Sequence, residues 1–279
     1  MKNPNDLSLC IRKLAGYMLI VSVWLGTAAT VSAEFKLPAL FTDHMVLQRE
    51  MSVRIWGWAD PSERIHVSFG EQSVTGQASK EGRWVVNLKP MPASRDGRTL
   101  LVRSAAGEQF QIEDVLVGEV WLCSGQSNME FPVSKSYDGD LEIAAAKHPM
   151  IRLISVPKNG TQELQDNFEG QWEVCSPQTV SEFSAVGYLF GRELNAVLDV
   201  PIGLIDNAWG GSSAEAWVQR DLLEEKELYQ EYVAHWKQIE STYDYEAILA
   251  GYRKRLATWD ANQKLKKNAS KRPKEPGNR

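Results

Sequence analysis

Cysteine, histidine and positive charge are all scarce in this chain, and each shortage closes off chemistry. There are 3 cysteines and 4 histidines in 279 residues. His44, His66, His148 and His235 are scattered, so no metal cluster is expected, and no cofactor is predicted. No glycine-rich phosphate loop follows a strand-like run. Lys and Arg number 31 against 36 Asp and Glu, a net charge of −5, which leaves no electrostatic footprint for nucleic acid. Internal repeats and low-complexity tracts are also missing. The apolar share of 43% and charged share of 24% are those of an ordinary globular protein, long enough for two domains. Tryptophan runs the other way, at 10 residues. A surplus of aromatics fits carbohydrate contact, although tryptophans more often fill cores.

The N-terminus has the pattern of a targeting segment. Lys2, Arg12 and Lys13 precede an apolar run from Leu14 to about Ala29, and Val31-Ser32-Ala33 offers small residues where a signal peptidase reads. Residues 1–33 are therefore predicted to be a signal peptide, and the mature chain is predicted to be exported, periplasmic or extracellular. An uncleaved anchor is the competing reading, because the run approaches spanning length. The small-residue ending and the immediate start of strand-like sequence favour cleavage. Cys10 leaves with that segment, so Cys123 and Cys175 remain. Export permits a bridge between them. Cys123 lies in an apolar strand, however, where a buried thiol is natural and a nucleophilic thiolate is not.

Residues 34–115 read as a β-sandwich. Short apolar runs at 53–58, 65–69, 84–88, 100–102 and 110–112 alternate with turn signals. From 116 to 279 the pattern changes to strand–helix alternation, which predicts an α/β domain with a mostly parallel sheet and helices on both faces. Its strands are placed at 115–122, 151–156 and 201–205. One helix runs from Leu141 to about Lys147 and stops at His148-Pro149. A second covers 186–198, with Val186, Leu189, Phe190, Leu194 and Val197 on one apolar face. A helical insertion spans about 221–267, with a break expected at Gly251. The Lys/Arg-rich end from Lys264 reads as a solvated linker, and Asn268-Ala269-Ser270 as an idle glycosylation match.

One run carries chemistry: Val120-Trp121-Leu122-Cys123-Ser124-Gly125-Gln126-Ser127-Asn128-Met129. It reads as a buried strand ending abruptly in small and polar residues. A serine just past the end of such a strand faces the ligand crevice of an α/β sheet, close to backbone N–H groups. Taken from spacing alone, Ser127 is either a nucleophile or a helix cap. A second candidate loop, Asn207-Ala208-Trp209-Gly210-Gly211-Ser212-Ser213, follows the last strand.

The string Gly-Gln-Ser-Asn-Met at 125–129 resembles the nucleophile block of the SGNH hydrolases, specifically the sialate O-acetylesterase family. The segment from Pro38 to Arg49 resembles the family's opening, and Trp209-Gly210-Gly211-Ser212 its second block. The resemblance implies an SGNH-type three-layer α/β/α domain that removes acetyl esters from sugar hydroxyls. It implies Ser127 as nucleophile, with Gly211 lending an oxyanion N–H beside that of Ser127. Gln126, Asn128 and Gly210 are expected on the substrate side, with Gln126 alternatively satisfying loop backbone. Trp217 is expected to pack rather than to form a sugar platform. The family's Gln-Gly-Glu-Ser/Thr-Asn-like block and its Asp-x-x-His pair do not occur here. Glu63-Arg64-Ile65-His66 is the nearest imitation, and it lies in the β-rich part. The chain is thus expected to be a C-terminally truncated member, poorly active alone, with an open apolar edge on a thin sheet. An acetylated carbohydrate is the expected partner, with no nucleic acid and no membrane beyond the signal segment. Two alternatives stand: an acetylxylan-type esterase, and a non-catalytic sugar-binding protein with a degenerate esterase domain.

Overall fold

The computed structural model describes residues 34–161, 163–264 and 273. The predicted signal peptide and the linker and glycosylation readings beyond 264 lie outside the described residues. Among the described residues no helix is long and apolar enough to cross a membrane.

Seven strands come first: β1 (Val46–Gln48), β2 (Val53–Trp58), β3 (Arg64–Phe69), β4 (Gln72–Gln77), β5 (Arg83–Leu88), β6 (Ser94–Ser104) and β7 (Gln109–Gly125). Alternation decides which side is buried. In β5 the residues Trp84, Val86 and Leu88 point inward, while Arg83, Val85 and Asn87 point out. Strands β2 and β5 form one antiparallel ladder, and β4-β3-β6-β7 form another. Ile55, Ile65, Val67, Leu88, Leu100 and Val102 belong to a common apolar core. Strand β4 is the element the sequence reading passes over. Its polar run has no buried face, so it carries no apolar alternation to detect.

Strand β7 is 17 residues long and runs straight through the boundary expected at 115/116. Its first half pairs with β6 and its second half with β10. The β-rich and α/β regions therefore share one continuous sheet. Beyond β7 come the short α1 (Ser127–Glu130), α2 (Gly139–Ala145), β8 (His148–Ser155), β9 (Glu173–Cys175), α3 (Ala185–Leu198) and β10 (Ile202–Ala208). Strand β10 lies between β7 and β8 and is parallel to both, while β9 closes that edge antiparallel. The molecule is a mixed α/β protein with a mostly parallel central sheet.

Three expectations change here. His148 and Pro149 begin strand β8, and the helix before them ends at Ala145. Helix α3 covers one face of the sheet, but the other is covered by Phe168, Trp172 and the core of the N-terminal strands instead of a helix. Helix α3 also buries the side opposite to its apolar stripe. Ala185, Gly187, Tyr188 and Gly191 face the sheet, whereas Val186, Leu189, Phe190 and Val197 are exposed, and of the predicted stripe Leu194 packs against the core. Glycine decides this. A Cβ at Gly187 would collide with the Cys123 sulfur, and one at Gly191 with Leu204, so the flat glycine side permits the close approach.

The two regions are pinned together by Arg152, only 3% exposed. Its guanidinium donates to the Asp114 carboxylate at 2.7 Å, to the His44 carbonyl at 3.0 Å and to the Pro149 carbonyl at 2.9 Å. Burial works against ionisation of Asp114, yet the hydrogen bonds from Arg152 and His44 outweigh it and hold the carboxyl below the usual range.

The helical segment consists of α4 (Arg220–Glu225), α5 (Gln230–Thr242) and α6 (Tyr245–Lys264). The break expected at Gly251 falls instead at Tyr243–Asp244. There the Asp244 carboxylate accepts the Ala247 N–H at 2.9 Å and caps α6. Arg220 forks onto Glu240 through two 2.9 Å bonds and fastens α4 to α5.

Candidate active site

The candidate site lies at the carboxyl ends of β7 and β10, where an open α/β sheet presents loops to ligands. The last paired residues are Gly125 on β7 and Ala208 on β10. The Trp209 N–H then donates to the Gly125 carbonyl at 2.8 Å, so the glycine loop starts beside the turn that carries Ser127. Ser127 is the first residue of α1 and is exposed. The helix-cap reading does not hold, because Gln126 occupies the cap position. The Ser127 hydroxyl has no hydrogen-bond partner among the described residues.

Gly210 is packed against the serine. A Cβ built on it would lie 3.3 Å from both Cα and Cβ of Ser127. Gly211 follows with φ +81, a conformation that suits glycine, and faces open space. Gln126 donates through Nε2 to the Ser212 carbonyl, so it satisfies loop backbone, as its second reading has it. Asn128 is exposed next to the serine. The Trp217 indole N–H donates to Ser212 Oγ at 2.9 Å, and that hydroxyl donates to the Trp209 carbonyl at 2.7 Å. The indole is 40% exposed rather than packed into a core.

Glu130 is the residue that sequence reasoning missed. One carboxylate oxygen accepts the Gly210 N–H, and the other pairs with Lys158. Gly210 thus spends its N–H on the protein. A signal was present: Ser127-Asn128-Met129-Glu130 has the spacing of a capping box. That pattern sends the glutamate back to its own helix, and here it reaches across to a neighbouring loop. Nothing in the sequence around Lys158 marks it.

Cys123, four residues before the serine on β7, and Cys175, on β9 opposite His148, are free, buried thiols. Burial pushes Cys123 up to about 11 and Cys175 to about 12, so neither forms a thiolate near neutral pH. Asp206, on β10 opposite Cys123, is pushed up by burial.

Histidine is missing from this neighbourhood. His44 stands 2.8 Å from Asp114 and looks like a catalytic pair. Asp114 precedes Gly125 by eleven positions on β7, so the pair lies on the order of 30 Å from Ser127 at about 3.3 Å per residue. His66 bonds Ser73 and Thr75 in the β3–β4 hairpin. His148 starts β8, at the opposite end of the parallel sheet. His235 is exposed on α5. No hydrogen bond among the described residues joins a histidine to Ser127, and no group of metal-ligating side chains is found among them.

A serine at the carboxyl end of a parallel strand, clasped by a glycine loop from the next strand, is the arrangement of an α/β serine hydrolase. The comparisons narrow the class. The family model of carbohydrate esterases described as sialic acid-specific acetylesterase matches residues 117–251. The human sialate O-acetylesterase is 32% identical over 220 residues, covering 72% of this chain and 42% of the human protein. The mouse protein is 31% identical over 226 residues, covering 75% of this chain and 41% of its own length. A crystal structure of a carbohydrate acetylesterase from Xanthomonas citri shares 40% identity at a TM-score of 0.65, covering 68% of this chain and 44% of that one. The chain belongs to the sialate O-acetylesterase family of carbohydrate esterases. It spans about two-fifths of the length of the curated relatives it matches.

Proposed function

We propose that the chain carries the nucleophile of an exported carbohydrate O-acetylesterase of the sialate O-acetylesterase type. The observation that carries this is the packing of Gly210 against Ser127 at the sheet's carboxyl edge. Ser127 Oγ attacks the acetyl carbonyl of an acetylated sugar. The oxyanion is held by the N–H groups of Ser127 and Gly211, each worth roughly 3 kcal/mol in comparable sites. The sugar alcohol leaves, and water hydrolyses the acetyl-enzyme. Both transfers need a base at Ser127, and no described histidine is there. In this reading the domain is SGNH-type, the N-terminal strands form a β-sandwich module, and the chain by itself turns over esters poorly. The apolar N-terminal segment after Lys2, Arg12 and Lys13 supports export.

The missing base also favours a second reading, a sugar-binding protein with a degenerate esterase domain. Hydrolysis of acetylated sialic acids and acetylated xylan by the chain and by Ser127→Ala tests both. Little turnover, with sugar binding kept in Ser127→Ala, fits the second reading. Rapid Ser127-dependent turnover by the chain alone sinks the claim of poor activity. Preference within the panel assigns the substrate, and an acetylxylan preference would replace the sialate assignment.

A further inference from the structure

Two indoles flank the glycine loop that lies against Ser127. Trp209 opens the loop directly after β10, and Trp217 ends the short helical turn Ala214–Trp217 that follows it. They are 39% and 40% exposed. Apolar side chains scattered singly over a surface call for no explanation, but two of the largest on one loop beside a candidate nucleophile do. Among the described residues neither ring stacks on another ring or on a cation.

One serine fastens both tryptophans to the site. The Trp217 N–H donates to Ser212 Oγ at 2.9 Å, and that hydroxyl donates to the Trp209 carbonyl at 2.7 Å. The Ser212 carbonyl accepts from Gln126 Nε2, one residue before Ser127. With its only donor satisfied, the exposed part of Trp217 is an apolar ring surface. The Trp209 indole N–H has no partner among the described residues, so it is a spare donor. Between the two in sequence stands Gly211, where a Cβ would meet nothing within 4 Å.

A pyranose has the matching chemistry: a face of C–H groups that lies on an aromatic ring, and an edge of hydroxyls that takes a donor. We infer that Trp217 and Trp209 form the sugar platform of this site, with Trp217 supplying the apolar surface and the Trp209 N–H a hydrogen bond to a ring hydroxyl. The ligand is an O-acetylated pyranose whose ester is offered to Ser127 across the open space at Gly211. A sugar as the occupant rests on the proposed function, in either of its two readings. The platform selects the sugar and takes no part in cutting the ester.

The test uses the full chain carrying Ser127→Ala and labelled with fluorotryptophan. Fluorine resonances are assigned by their loss in Trp209→Phe and Trp217→Phe. O-acetylated N-acetylneuraminic acid and an acetylated xylotriose are titrated in turn, with ethyl acetate as an ester that has no sugar ring. A sugar should shift both assigned resonances, and ethyl acetate neither. Trp217→Ala should raise the Kd of that sugar roughly tenfold or more, while Trp217→Phe keeps a ring and stays within about threefold. If neither sugar moves the Trp217 resonance, the inference is overturned, and so it is if Trp217→Ala leaves the Kd unchanged. The shift is read on an intact ring, so it decides even where Trp217→Ala unfolds the chain. Sugar-dependent shifts with no turnover by the Ser127 chain keep the platform and select the sugar-binding reading. Ser127-dependent turnover that Trp217→Ala leaves unchanged keeps the esterase and removes the platform.

Discussion

The Glu130 carboxylate joins the Gly210 N–H to the Lys158 ammonium, and so fixes the glycine loop against the helix that begins at Ser127. A hydrogen bond to a charged acceptor contributes about 1.5–3 kcal/mol. Glu130→Ala should therefore lower the unfolding free energy by about 1–2 kcal/mol, because its exposed Lys158 pair adds little. Exchange at Gly210 should accelerate. Glu130→Gln keeps an acceptor and should recover most of the Gly210 protection, as amide-resolved exchange will show.

The two glycines of the loop should respond differently to alanine. At Gly210 a Cβ meets Ser127 and Glu130, so Gly210→Ala must push the loop away from the serine. A loss of about 1–3 kcal/mol is expected, as for other overpacked sites. At Gly211 there is open space but a φ of +81, so only backbone strain of about 1 kcal/mol opposes alanine. Gly211→Ala keeps its N–H. Chemical denaturation of both variants gives the ranking, and equal losses would contradict the packing of Gly210.

The serine's location was legible in the sequence for a physical reason. An apolar run that ends in Ser-Gly-Gln-Ser must leave the sheet there, and β7 does, although Trp121 and Leu122 are exposed where a buried strand was expected. Its length was not legible. The change of pattern near 115 reflects which neighbour pairs with β7, not a break in the strand, and pairing partners leave little mark on the strand itself. Glu130 was missed because a local capping box and a long-range contact use the same residue types. The helix break was misplaced because a glycine inside a helix costs only about 1 kcal/mol and is tolerated at Gly251, while Asp244 supplies a cap.

Removing Arg152 should be costly. Its guanidinium is buried and serves Asp114 and two carbonyls at once. Arg152→Met leaves those acceptors facing an apolar side chain, and a loss of about 3–5 kcal/mol is expected. Acid should act on the same joint. The Asp114 carboxyl lies below its ordinary value of 3.8 in the folded chain, so the unfolded chain binds the proton more readily. The stability it contributes is present above pH 3.8 and is lost as pH falls through that value and below. Melting curves of the wild type and Asp114→Asn should converge as the solution is acidified, and a gap that widens would refute the assignment.

Iodoacetamide should not find the thiols of the folded chain. Cys123 and Cys175 are buried and pushed up to about 11 and 12, so the thiolate is scarce at pH 8. Peptide mapping should show both unmodified in the native protein and both modified in denaturant. Fast native labelling of Cys123 would place the thiol in the crevice and reopen its exclusion as a nucleophile.

Helix α3 gives a sharper contrast, because its sequence pattern and its packing disagree. Periodicity shows that Val186, Phe190 and Val197 share a stripe, but not what covers that stripe. The side with Gly187 and Gly191 approaches the sheet more closely, so it takes the core position and carries Tyr188 in with it. Tyr188 is fully buried, and Tyr188→Ala should cost about 3–5 kcal/mol through the cavity it leaves. Val197 is 77% exposed, so Val197→Lys should change stability by no more than about 0.5 kcal/mol. If the helix sat on its apolar stripe instead, the order would reverse: lysine at 197 would bury a charge and alanine at 188 would be tolerated. Denaturant midpoints of the two variants, measured side by side on the same chain, decide which face of α3 meets the sheet.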